Sequence, residues 1–275
     1  MTYSKEFLDL YNNLFALIPY PDHLAQEVVQ VAELWKEFCK LPLEVKRKFT
    51  YPTENEDWHS GYIHRTVQAG HDDKEYYHFQ PNHSEFLGAS ENQKSLDEYP
   101  IIQEFFNSCD EVVIKLYDFI LDHTYKLAED NEHLANLPAQ FVQGFSENYA
   151  LLRFLHYTPE PDSEVLAKPH FDIGGMTFHV YENSEGLQFL DYENKWRDAP
   201  LVEGSTVMFN AYGLESMSGE VLQRTWHRVV RKDGMPEERF SAVFFADFPD
   251  NPNWDTTVLG RAKFQPMEYQ DKKAL

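Results

Sequence analysis

His170 and Asp172 lie one residue apart, His227 follows farther along the chain, and Arg239 and Ser241 come after it, again one residue apart. Two imidazoles and a carboxylate on one face of a metal suit non-haem Fe(II) and leave three octahedral positions open. Alternate residues of a strand share a face, so His170 at a strand end and Asp172 beyond Phe171 can reach one ion. By the same geometry, Arg239 and Ser241 can hold one carboxylate between a guanidinium fork and a hydroxyl. A 2-oxo acid bound through its keto oxygen and adjacent carboxylate would fill two of the open positions and dioxygen the third. The Arg-x-Ser pair then suits the distal carboxylate of an acid of glutarate length. Singly these pieces are weak. Among 12 histidines an H-x-D triplet arises easily by chance, a lone His227 reads as a satisfied core residue, and a lone Arg239 reads as a strand-end ion pair. Their ordered combination carries the reading.

Positioning these residues takes strands. From about Ala150 the chain reads as short β-rich runs: Leu151–Tyr157, Met176–Tyr181, Leu187–Leu190, Thr206–Asn210, Thr225–Arg231 and Arg239–Asp247. No helix-length segment separates them, which points to a sandwich or barrel rather than βαβ units. Gly174-Gly175 supplies the turn after the first ligands, and His227 is expected mid-strand with Trp226 and Arg228 on the opposite face. In the last run both faces are largely apolar, with Phe240, Ala242, Phe244 and Ala246 on one side. A strand covered on both sides needs a second layer, and the first half offers amphipathic helices to supply it. Phe7, Leu10, Tyr11 and Leu14 mark one helix, and Val28, Val31, Leu34, Trp35 and Phe38 another. Pro42 opens a short basic helix to Phe49, Tyr51 to Asp57 reads as a loop, and Ile101 to Leu127 predicts a long helix. The expected organisation is one structural unit: residues 1–149 a helical, α+β portion packed on the core, 150–250 the β core, and 251–275 a wrapping tail or lid.

Composition narrows the partners. The 275 residues carry 24 basic and 46 acidic side chains, a formal charge of −22 that repels phosphate backbones and argues against nucleic acid. The acid excess also has the sign to attract a cationic substrate, but distributed acidic charge is more often only a solvated surface. Cys39 and Cys109 lack the spacing of a zinc site or disulfide framework, which fits a reducing cytoplasm. The first twenty residues form neither a signal-peptide core nor a transmembrane run, so no membrane is expected. The oligomeric state is not legible.

With the residues in place, the chain resembles the iron(II)/2-oxoglutarate-dependent oxygenases, in particular their isopenicillin N synthase-like branch. The segment His170 to Phe178 is similar to that branch's ligand-and-turn segment, and Gly186-Leu187-Gln188 with Trp196 to its next hairpin. Leu214-Glu215 and Ser218-Gly219 stand where a connecting turn lies, before His227-Arg228 and Arg239-x-Ser241. Leu34 to Phe49 is similar to the branch's amino-terminal helix and its exit, and Gly61-Tyr62 and Lys74-Glu75 match further points, so the likeness spans about residues 30 to 250. It implies a mainly β fold with flanking helices, a distorted double-stranded β-helix or jelly roll. It also implies Fe(II) on His170, Asp172 and His227, 2-oxoglutarate on Arg239 and Ser241, and dioxygen as co-substrate. Oxidation of a small organic substrate, by default hydroxylation, would release succinate and CO2; retention of Asp172 argues against halogenation. Several positions depart from the pattern. The strand expected before the first helix looks shortened or lost, Thr158 stands where a tyrosine often helps bind 2-oxoglutarate, and Tyr212-Gly213 replaces a Gly-Asp pair.

For the substrate, Arg153, His156 and Tyr157 lie on the strand leading to the ligands, and His179, Asn210, Tyr212 and Phe245 lie farther along the β-rich half. Each has a structural reading as well, as a salt-bridge partner, sandwich polar group or packing aromatic. Tyr62, His64, Arg65 and His78 are candidates for the pocket mouth. Two rival functions stay open: an oxidase of the same branch that uses no 2-oxoglutarate, and a non-catalytic jelly roll that binds a ligand.

Overall fold

The computed structural model describes residues 3–51, 60–65, 74–81, 83, 90–158, 164–249, 269, 272, 273 and 275. The expected Tyr51 to Asp57 loop and the 251–275 tail lie outside them but for Tyr51 and those last isolated residues.

The core is two antiparallel sheets. The larger has the order β1-β10-β7-β12-β5-β4-β3-β2, built from β1 (Phe15–Pro19), β2 (Thr50–Tyr51), β3 (Ser60–Arg65), β4 (Lys74–Phe79), β5 (Leu151–Tyr157), β7 (Met176–Glu182), β10 (Ser205–Asn210) and β12 (Arg239–Ala246). The smaller has the order β6-β11-β8-β9, from β6 (Val165–His170), β8 (Leu187–Leu190), β9 (Trp196–Asp198) and β11 (His227–Val230). Between the sheets lie Tyr76, Leu155, Tyr157, Val207, Phe209 and Val243 from one side and Leu166, Leu187, Phe189 and Val229 from the other. The result is the mainly β, helix-flanked jelly roll expected of the sequence.

Helices cover the outer face of the large sheet. Helix α1 (Lys5–Asn13) is capped by the Ser4 hydroxyl, which accepts from Phe7 N, and ends on Leu14 at φ +70°. That left-handed residue reverses the chain into β1, which pairs with β10. The leading strand read as shortened or lost is therefore present: five residues are enough because alternate burial of Ala16 and Ile18 fixes the strand on the sheet edge. Helix α2 (Asp22–Cys39) buries Val28, Val31, Trp35 and Phe38, with Trp35 against Phe105 and Phe154. After the short α3 (Leu43–Lys46) and α4 (Ser90–Glu98), the long helix α5 runs Pro100–Asp130, three residues past the predicted end, followed by α6 (Leu137–Ser146). Proline opens α5 where its missing N–H costs nothing. The outward residues of β12, Phe240, Ala242, Phe244 and Ala246, join this helix-side core as their alternation requires.

A charged knot fastens the layers. Glu75 of β4, buried, accepts from Lys46 Nζ at 2.5 Å, Tyr62 Oη at 2.5 Å and His156 Nδ1 at 2.8 Å, while Lys46 also donates to Cys39 O at 2.8 Å. Burial alone would raise the Glu75 pKa, but hydrogen bonds from His156, Lys46 and Tyr62 overcome it and pull the value from 4.5 to about 2. Its stabilising contribution is thus complete above the ordinary carboxylate range and is lost as pH falls from there toward 2. Removing one partner of a buried pair strands the other charge, so Glu75→Ala should cost about 3–5 kcal/mol in denaturant unfolding. Glu75→Leu combined with Lys46→Met should recover most of that loss.

Candidate iron and 2-oxo acid site

Strands β6 and β11 pair with His170 opposite His227, which sets the imidazole centroids 4.2 Å apart. His227 opens β11 rather than lying mid-strand, because the pairing of Trp226 and its predecessors is spent on other contacts: Leu190 N donates to Trp226 O, and Thr225 N to Asn210 O. Asp172 completes the set, with Oδ1 3.9 Å from His170 Nε2 and Oδ2 3.8 Å from His227 Nε2. One ligand atom from each residue lies within 4.8 Å of the others, close enough to share an ion.

The surroundings prepare these atoms for a cation. His170 Nδ1 lies 2.7 Å from Lys168 O and His227 Nδ1 3.2 Å from Thr225 O. A carbonyl can only accept, so each Nδ1 carries the proton and each Nε2 turns a lone pair toward Asp172. Burial, reinforced by His170, depresses the His227 pKa to about 3 against the pull of Asp172, so the ring is neutral as a ligand must be. Burial would raise Asp172, but His227, His170 and the Thr177 hydroxyl, donating to Oδ2 at 2.6 Å, hold its pKa below the ordinary value.

The loop carrying Asp172 is latched at both ends. Tyr212 N donates to Asp172 O at 2.9 Å and Gly213 N to Gly174 O at 2.7 Å, from the first turn of α7 (Tyr212–Met217). Gly175 N donates to Asp247 Oδ1 at 3.1 Å. A Cβ on Gly174 would meet Asp247 Oδ1 at 1.4 Å, and one on Gly175 would meet Ala246 O at 2.5 Å, so close approach to the end of β12 is the reason for both glycines.

Arg239 and Ser241 occupy the inner face of β12, each 1% exposed. Arg239 Nη1 and Nη2 and the Ser241 hydroxyl have no aligned hydrogen bond, three donors that fit a carboxylate. Nη2 does lie 2.7 Å from Glu182 Oε1, an ionic contact without hydrogen-bond alignment, and Glu182 is in turn 2.6 Å from His179 Nδ1. The Arg239 guanidinium also lies 5.4 Å from the Tyr157 ring centroid. Tyr157, not Thr158, therefore faces the clamp; Thr158 is exposed beyond the end of β5.

The other candidates divide by face. Arg153, Tyr157, His179 and Phe245 look inward. Arg153 Nε donates to His78 Nε2 at 2.7 Å, and its guanidinium lies 4.6 Å from the Phe245 ring and 5.4 Å from the Tyr76 ring. His156, one residue from Tyr157, points instead to the helix layer, bonded to Glu75 and stacked on Phe240 at 4.2 Å. Asn210 shares the face of Met208, and its amide donates to Gln223 O at 3.1 Å. Tyr212 packs in the helix-side core under Arg224, its role at the site being its backbone N–H. At the proposed mouth, Arg65 and His78 lie inward beside Tyr76, Tyr62 is bonded to Glu75 outside, and exposed His64 shares the outer face with Tyr62. Glu182 and Thr177 had not been singled out in the sequence; Thr177 was findable by its place two residues after the Gly-Gly turn, whereas the orientation of Glu182 depends on a bulge.

A jelly roll with a His-x-Asp and a distant His close together, and an Arg-x-Ser pair on a facing strand, is an arrangement that suits non-haem iron. The sequence model of the 2OG-Fe(II) oxygenase superfamily matches residues 146–247. The matched region holds every residue of the candidate site, His170, Asp172, His227, Arg239 and Ser241. It is 34% identical over 147 residues to a 2-oxoglutarate-Fe(II) type oxidoreductase of Aspergillus fumigatus, covering 50% of this chain and 42% of that protein. It is 26% identical over 254 residues to jasmonate-induced oxygenase 4 of Arabidopsis thaliana, covering 90% of this chain and 69% of that protein. The match thus spans less than half of the Aspergillus protein. A dioxygenase for auxin oxidation in rice shares the fold at a TM-score of 0.63 and 20% identity, covering 86% of this chain and 74% of that chain.

Thr177→Val removes the hydroxyl that orients Asp172 while keeping its shape. It should weaken metal binding about 10–100-fold, measured by anaerobic Fe(II) or Mn(II) titration, without unfolding the chain.

Proposed function

We propose that this protein is an Fe(II)/2-oxoglutarate-dependent oxygenase that hydroxylates a small organic molecule bearing an acid group. The observation that carries the reading is the meeting of three ligand atoms within 4.8 Å in the same jelly roll as the buried Arg239 and Ser241, whose Nη1, Nη2 and hydroxyl make no aligned hydrogen bond. His170, Asp172 and His227 would hold the metal, which when bound supplies oxygen activation coupled to decarboxylation of the 2-oxo acid. Arg239 and Ser241 would fix the distal carboxylate of that acid and so orient its other end. Thr177 holds Asp172, and the carbonyls of Lys168 and Thr225 hold the two imidazole tautomers. Phe209, 4.7 Å from the His227 ring, and Phe189 beside it keep water from that side.

Arg153 supports an acidic substrate. Its guanidinium is held between two aromatic rings, its Nε is taken by His78, and no carboxylate ion pair forms on it among the described residues. Its charge reaches Asp172, which sets it near the reacting region. A carboxylate entering there would meet a desolvated cation, worth more than a surface pair. The names of the relatives, a jasmonate-induced oxygenase and an auxin-oxidising enzyme, agree with small-molecule chemistry.

The test is oxygen uptake and succinate formation with Fe(II), 2-oxoglutarate and a panel of small carboxylic acids. Wild-type protein should form succinate in proportion to product, and His227→Ala should fall to background. Arg153→Gln should raise KM for an acidic substrate by at least about tenfold while leaving substrate-free succinate formation in place. Substrate oxidation that proceeds without 2-oxoglutarate would mark the branch's other chemistry, an oxidase, instead.

A further inference from the structure

The Arg239 clamp already faces a carboxylate from its own chain. Glu182 reaches it through a bulge in β7. On β12, Ala242 pairs with Tyr181, but the next residue, Val243, pairs with His179, so one step on β12 spans two on β7 and Val180 is the extra residue. Val180 and Tyr181 both face the helix layer. Tyr20 Oη donates to Val180 O at 3.0 Å, Lys36 Nζ lies 5.5 Å from the Tyr181 ring centroid, and both residues belong to the helix-side core. Without the bulge Glu182 would continue on the face of Val180; with it, Glu182 turns inward, opposite Ser241 in the register and against Arg239.

We propose that Glu182 is a specificity-determining residue of the co-substrate pocket: its carboxylate occupies part of the Arg239 anion seat, and 2-oxoglutarate must displace or share it. This rests on the reading of Arg239 and Ser241 as the distal-carboxylate clamp. Two features make Glu182 an effective competitor. It is held by two groups, Arg239 Nη2 at 2.7 Å and His179 Nδ1 at 2.6 Å, and its side chain is only 8% exposed. Burial would raise its pKa, yet Arg239 and His179 pull it to about 2, so it stays anionic at any working pH. A second carboxylate brought to the same guanidinium meets like charge in a desolvated site. The seat is nevertheless incomplete with Glu182 alone. Arg239 Nη1 and the Ser241 hydroxyl remain without partners, which leaves an incoming carboxylate something to gain. Glu182 thereby lowers affinity for 2-oxoglutarate without abolishing it, and narrows the advantage a distal carboxylate gives over a neutral chain end.

The alternative is a positioning role, in which Glu182 only steadies Arg239; the two roles predict opposite signs. The experiment is anaerobic calorimetric titration of the Mn(II)-loaded full chain with 2-oxoglutarate and with 2-oxopentanoate, which has the same carbon chain and no distal carboxylate. Glu182→Gln should bind 2-oxoglutarate at least about tenfold tighter than wild type, with 2-oxopentanoate changed by less than about twofold. Glu182→Asp, which keeps the charge but draws it back from Arg239, should shift affinity the same way by a smaller factor and serves if the glutamine variant does not fold. Unchanged or weaker 2-oxoglutarate binding in these variants overturns the proposal. If neither wild type nor variants bind either acid although the metal binds, the co-substrate reading fails and takes this proposal with it.

Discussion

His170 and His227 can share a cation only because strands far apart in the chain lie side by side, and the β6–β11 pairing that sets them opposite one another is the constraint the rest of the structure serves. The pairing belongs to a sheet of only four short strands, too slight to stand alone in water. It holds because its inner face closes on the larger sheet, through Leu166, Phe189 and Val229 against Leu155, Val207 and Val243. The larger sheet in turn needs its outer face covered, which α2 and α5 do. The geometry of the metal ligands therefore rests on packing several layers away.

Much of this was legible because it follows from alternation and order. The period of two in Arg239–Ala246 placed Arg239 and Ser241 together and demanded the helix layer, and the apolar stripe from Ile102 to Leu127 supplied it. The order of His170, Asp172, His227 and Arg239 in the chain is enough to suggest the chemistry. Legibility failed where neighbours rather than local pattern decide. His156 and Tyr157 are adjacent and equally plausible on paper, yet the pairing of β5 with β4 and β12 sends one to the helices and the other to the clamp. The same alternation sends Thr158 past the strand end. β1 was missed because five residues with mixed character give a faint signal until β10 pairs with them.

The two faces of the large sheet also handle charge differently. Outside, Glu75 is surrounded by Lys46, Tyr62 and His156 and is satisfied, so it acts as structure. Inside, Arg239 and Ser241 keep donors in reserve, and Arg153 is stacked rather than paired. Unspent hydrogen-bonding capacity in a buried place is costly to folding and is what a ligand can use.

The bulge at Val180 gives the pocket an unusual kind of coding. A strand's side chains alternate, so an extra residue would act like a shift of reading frame and exchange the audience of everything downstream; letting Val180 and Tyr181 share the helix-side face absorbs the extra residue and restores the frame. Glu182 is the last residue of the strand, and the bulge decides whether its charge belongs to the protein's outer layer or its interior. The same residues in unbroken alternation would turn Glu182 outward, so the irregularity in β7, as much as residue identity, writes the character of the clamp.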